Sequence, residues 1–121
     1  MSRLGSALRE RFFRSADRQD IDEAVGWLRA AVIAAAPGDD NGSAALSQLC
    51  GALRVRYEST DDGVVDLDDA IDAGREAVKR TPDTNPHYAG RSSSLASALL
   101  MRCLRTGARR RRAQLRRLAL A

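Results

Sequence analysis

The sequence predicts an all-α fold, a stack of antiparallel helix hairpins amounting to about two and a half repeats plus a C-terminal basic helix. Three observations predict it: the composition, an internal repeat, and the spacing of apolar residues. Aromatics make up only 4% of the 121 residues, while alanine, leucine and arginine dominate. Those side chains lose little rotamer freedom in a helix. The segment LGSALRERF from Leu4 returns as LCGALRVRY from Leu49 and as LASALLMRC from Leu95, at offsets of 45 and 46. DIDEAVGWLRAAV from Asp20 returns as DLDDAIDAGREAV from Asp66, again at 46, and a proline follows each within a few residues. A fixed period of this length is the mark of a helical array, and here the unit holds two helices, A and B.

Each element follows from local physics. The first A helix starts at Leu4 and the first B helix at Asp20; Trp27 is expected to pack within that B helix. In the second unit Leu46, Leu49, Leu53 and Tyr57 recur at spacings of three and four, which places them on one face of an A helix beginning near Ser43. Gln48 and Arg56 make its opposite, polar face. In the second B helix Leu67, Ala70, Ile71, Gly74, Ala77 and Val78 form an apolar stripe, with Asp66 placed as N-cap and Asp68 and Asp69 in the first turn. Lys79 and Arg80 close it before Pro82, so the charges complement the helix dipole. Small residues at matched places, Gly5, Cys50 and Ala96 on A, Ala24 and Ala70 on B, allow close approach of the helices. Phe12 and Tyr57 sit where a large side chain covers the turn into B, with Cys103 as the smaller third member.

The pattern L-x-x-A-L-x-x-R-[FY], an acidic loop, D-[IL]-D-[ED]-A-[IV] and then A-V before a proline resembles the tetratricopeptide-type arrays of actinobacterial proteins, which often accompany a caspase-like CHAT domain. The likeness covers most of residues 1–107 and is strongest from Leu46 to Gly107, in RYESTDDGVVDLDDAIDAGREAVKRTP and HYAGRSSSLASAL. Ser92 stands where leucine is usual, the Pro37–Gly42 loop is rich in glycine and aspartate, and after Gly107 the acidic start of a B helix is replaced by ARRRRAQLRRLALA. The chain carries no CHAT domain, so no protease role carries over. The resemblance implies a right-handed α-solenoid in residues 1–107, with 108–121 as an arginine-rich capping helix or tail. It implies a non-enzymatic protein-protein interaction module that binds a peptide or helix on a concave face lined by A helices. The inward-facing positions are Ser6 and Arg9, then Ser47, Gly51 and Arg54, then Ser93, Ser97 and Leu100. Arg9 and Arg54 suit a carboxylate-bearing partner, or are solvated arginines making contacts within their own helices.

Charge divides the chain. Residues 1–101 hold 12 basic and 16 acidic groups, whereas residues 102–121 hold eight arginines and no acid. An array lacking its last B helix leaves the third A helix open. Leu115, Leu118 and Ala119, with Leu120 adjacent, line up for a short helix that docks there; otherwise the open end pairs with a second copy as a homodimer. The alternative function is a nucleic-acid-associated protein anchored through Arg109, Arg110, Arg111, Arg112, Arg116 and Arg117. No aromatic lies in residues 102–121 to stack on bases, and the segment lacks the Trp or Phe of a membrane-surface helix. A third reading is a remnant of a longer array with no partner of its own.

Other chemistries find little support. The longest apolar run, Ala30 to Ala36, is too short to cross a bilayer, and Arg9, Glu10 and Arg11 interrupt any signal-like core, so a soluble cytoplasmic protein is expected. In that compartment the Asn41-Gly42-Ser43 sequon is silent, and Cys50 and Cys103 read as reduced thiols. His87, the single histidine, reads as an exposed first-turn residue, and no spacing motif joins it to the cysteines as a zinc site. Asp61, Asp62, Asp66, Asp68, Asp69 and Asp72 lack the closing glutamate of a calcium loop, and Ser92, Ser93 and Ser94 have no histidine base. No cofactor and no catalytic residue is expected.

Overall fold

The computed structural model describes residues 18–59 and 63–120, and these are all-helical. The helices are α1 (Arg18–Ala34), α2 (Asp40–Glu58), α3 (Val64–Arg80) and α4 (Tyr88–Leu120). They match the first B helix, the second A and B helices, and the third A helix with its basic extension. The first A helix, with Gly5, Ser6, Arg9 and Phe12, lies outside the described residues.

Turn chemistry sets the boundaries. After Pro37, Gly38 adopts φ 83°, a left-handed conformation natural to glycine. Asp39 then caps α2 by accepting a hydrogen bond from the Asn41 amide at 2.9 Å. The helix thus starts three residues before Ser43, because the aspartates of the loop supply the cap. α3 also starts early, at Val64, with Gly63 as a cap that contributes no side chain. Asp66 is therefore a first-turn residue and not the N-cap. At the other end of α3, the Thr81 hydroxyl donates to the Ala77 carbonyl at 2.6 Å. Pro82 then forbids continuation. In the next turn the Asn85 side-chain oxygen accepts from the His87 amide at 2.8 Å, and α4 begins at Tyr88.

α1 packs on α2, α2 on α3, α3 on α4, and α2 also reaches α4. The core follows the apolar stripes: Ile21, Ala24, Val25 and Leu28 from α1, and Leu67, Ala70, Ile71 and Ala77 from α3. α2 is central. Besides Leu46, Leu49 and Leu53 it buries Ala45, Cys50, Ala52 and Val55, so it is enclosed nearly all round where an amphipathic helix was expected. Gly74 marks the tightest approach: a Cβ there would stand 3.2 Å from the Cys50 sulfur and 3.2 Å from Leu95. A mid-helix glycine costs roughly 1 kcal/mol against alanine, so its presence is explained by the three helices that meet at it.

Two expectations about packing fail. Trp27 is 55% exposed, because the buried stripe of α1 runs through Ile21, Ala24, Val25 and Leu28 and Trp27 stands roughly 120° away from it at 3.6 residues per turn. The basic segment makes no separate capping helix. α4 runs unbroken for 33 residues through the 107/108 boundary, about 50 Å at 1.5 Å per residue, and Leu115, Leu118 and Leu120 are 58%, 65% and 82% exposed. Nothing in ARRRRAQLRRLAL breaks a helix, so the third A helix simply continues.

Candidate interaction surfaces on the long helix

Ion pairs fix α4 and its neighbours in register. Arg56 joins three helices, its Nε and Nη2 donating to the Asp66 carboxylate at 2.9 and 2.8 Å and its Nη1 to Asp22 at 3.0 Å. The hydrogen bonds that Arg56 donates to Asp66 raise its pKa above the ordinary value, against the opposing effect of burial. Arg56 is thus a structural cross-link rather than part of a solvated face. Arg91 does the same for the start of α4. It is 5% exposed and forks onto Asp40 of α2 at 2.8 and 3.1 Å, while donating to the Thr81 hydroxyl at 2.9 Å. Asn85 adds a bond to the same carboxylate at 3.1 Å. The Arg91 fork, helped by Asn85, holds the Asp40 pKa below its ordinary value. Asp40, Arg91, Pro86 and His87 border an open groove of about 410 Å³ between the starts of α2 and α4.

Sequence reasoning passed over Arg91. A signal existed: it stands one repeat from Ala45 and in register with Leu95 and Ala98, so it is a charge within an apolar stripe.

The predicted binding positions scatter. Ser6 and Arg9 fall outside the described residues. Ser47 lines the groove beside Asp40 and Arg91. Gly51 is buried and offers no surface to a partner, because α2 is enclosed by its neighbours. Arg54 is half-buried, its Nε shielded from solvent without a hydrogen-bond partner. On α4, Ser93 is exposed, Ser97 is half-exposed and donates to the Ser93 carbonyl at 3.0 Å, and Leu100 is 59% exposed. At 100° per residue these three share a stripe with Leu104, Leu115 and Leu118, of which Leu104 is 63% exposed. The structure therefore unites the α4 positions along one open stripe and does not unite them with Gly51.

The other side of α4 is different. The face that packs through Arg91, Leu95, Ala98 and Met101 continues past the end of α2 as Arg105, Arg109, Arg112 and Arg116. Arg105 lies over the Tyr57 ring, 5.6 Å from its centroid, and its Nη1 donates to the Tyr57 hydroxyl at 3.4 Å. Tyr57, Ala108 and Ala113 complete with these arginines a second groove of about 920 Å³. Of the six arginines singled out from sequence, Arg109, Arg112 and Arg116 line it; Arg110, Arg111 and Arg117 are exposed outside it.

The cysteines differ in the same way. The Cys50 thiol is buried and donates to the Ser94 carbonyl at 3.5 Å, and burial pushes its pKa up; Cys103 is exposed. Among the described residues no group of three or more His, Cys, Asp or Glu side chains is placed to hold a metal ion, and no helix is long and apolar enough to cross a membrane. Compared with family models, curated proteins and solved structures, the chain matches none.

Proposed function

We infer that the chain is a protein-interaction module of stacked helix hairpins, tetratricopeptide-like, which receives a helix or extended peptide of another protein on the open stripe of α4. The observation that carries this reading is the exposure of Leu100 and Leu104 beside Ala96 and Cys103. In the second unit the residues one repeat earlier are Cys50, Arg54 and Tyr57, which are buried or half-buried, and Glu58, which is exposed but charged; Cys50 touches the helix that follows it, where Gly74 leaves room. Among the described residues no helix follows α4 to cover it in that way. An A helix left uncovered in this way exposes apolar surface that a partner's apolar face fits. The order of packing, each helix on its sequence neighbour and A on the next A, supports a stacked array in which only adjacent units touch.

The test is capture from cell lysate with the full chain and with a Leu100→Glu/Leu104→Glu variant, after nuclease treatment and at high salt. The reading expects protein partners that survive nuclease and salt and are lost in the variant, while helicity by circular dichroism stays unchanged. Partners held equally by both forms, or released by nuclease, place the function elsewhere.

A further inference from the structure

We propose that the groove formed by Tyr57, Arg105, Arg109, Arg112 and Arg116 binds the sugar-phosphate backbone of nucleic acid, through charge and without reading bases. This site lies on the side of α4 away from the leucine stripe, and does not depend on it. Four guanidinium groups at successive spacings of four, three and four residues form one row on the helix. The row spans about 16 Å, roughly the axial reach of five phosphates along one strand of a duplex. No ion pair among the described residues involves Arg109, Arg112 or Arg116, and residues 102–121 contain no acid to neutralise them.

The walls favour phosphate over a protein partner. Among the described residues they offer, apart from the arginines, Ala108, Ala113 and Tyr57, so charge dominates the lining and no Leu, Ile, Met, Phe or Trp takes part in it. Arginine forks match the geometry of phosphate oxygens. Tyr57 floors the groove with Arg105 lying over one face of its ring, and residues 102–121 bring no aromatic side chain on which further bases could stack. The resulting site holds a backbone in place and is indifferent to sequence.

The experiment uses the full chain and two fluorescein-labelled probes, a 20-base-pair DNA duplex and a 20-nucleotide single strand, followed by anisotropy between 50 and 200 mM salt. Two variants of equal net charge are compared: Arg109→Ala/Arg112→Ala/Arg116→Ala in the groove and Arg110→Ala/Arg111→Ala/Arg117→Ala outside it. Alanine favours helix at all six exposed positions, and circular dichroism checks that both fold alike. The groove variant is expected to bind the duplex at least about tenfold more weakly than the other, with a salt slope flatter by about three, one unit for each lost phosphate contact. Duplexes of different sequence should bind alike. Equal weakening by the two variants would reduce the effect to bulk charge and overturn the site. So would the absence of binding at 50 mM salt, or tighter binding of a polyglutamate peptide than of either nucleic acid.

Discussion

α2 and the first half of α4 are copies of one sequence element, LCGALRVRY and LASALLMRC, set in two different surroundings. Cys50 is wholly buried and its counterpart Ala96 is exposed; Arg56 is half-buried in a three-helix ion pair and Arg102 is exposed; Tyr57 lies under Arg105 and Cys103 faces solvent. Burial of a repeat position thus follows how many neighbouring helices stand against it: α1, α3 and α4 all pack on α2, whereas α4 touches only α2 and α3 among the described residues. The pattern in the element itself specifies a helix and one packed face, and the neighbours decide the rest. On its open side α4 displays Leu100 and Leu104 where α2 carries Arg54 and Glu58.

Truncating the core should separate the copies most. Leu53→Ala, at a wholly buried position, should cost about 2–5 kcal/mol in urea unfolding, and Leu99→Ala, its half-buried counterpart, no more than about half of that. The same gap in both variants would mean that α4 is as enclosed as α2. Next comes the three-helix cross-link: Arg56→Ala should destabilise by about 1.5–3 kcal/mol, since it strands Asp66, whereas Arg102→Ala should stay within about 0.5 kcal/mol. Glycine substitutions reverse sign along the chain. Gly74→Ala should overpack against Cys50 and Leu95 and cost about 1–3 kcal/mol. Gly107→Ala, with nothing within 4 Å, should raise helicity, by up to about 1 kcal/mol of local helix stability.

The smallest effect concerns pH. Because Arg91 lowers the Asp40 pKa in the folded chain, the pair contributes stability that is present at neutral pH, above the ordinary value of 3.8, and lost as the pH falls through the lowered one. Wild type should therefore exceed Asp40→Asn in urea midpoint at pH 7, and the two should converge on acidification. A difference that persists at the lowest pH would show that the Arg91 fork does not act through the charge of Asp40.

The described helices and the core stripes of α2 and α3 were legible in the sequence, since Leu46, Leu49 and Leu53, and Leu67, Ala70, Ile71 and Ala77, are buried at the spacing that marks them. Helix starts were less so. α2 begins at Asp40 behind the Asp39 cap rather than near Ser43, and Gly63 rather than Asp66 caps α3, since several acids near each start compete for that place. The Arg91 fork was hidden because a buried arginine is defined by partners 51 and 10 residues away, and spacing along one helix says nothing of them. Trp27 shows the same limit: its size suggested packing, but its angle around α1 turns it outward. The two faces of the basic segment became distinct only once α4 was seen to continue straight from a packed half, so that one row of arginines prolongs the packed side and the leucines prolong the open side.

Cys103 provides the most direct test of the central claim, that the open side of α4 receives a protein partner. It is exposed on that side near Leu100 and Leu104, while Cys50 is buried, so a thiol-directed photo-crosslinker should label Cys103 alone on the folded chain. Irradiation in cell lysate is predicted to give one discrete adduct with another protein, absent when Leu100→Glu/Leu104→Glu is introduced. Adducts between copies of the chain alone, no adduct, or an adduct that survives the two substitutions would contradict the account.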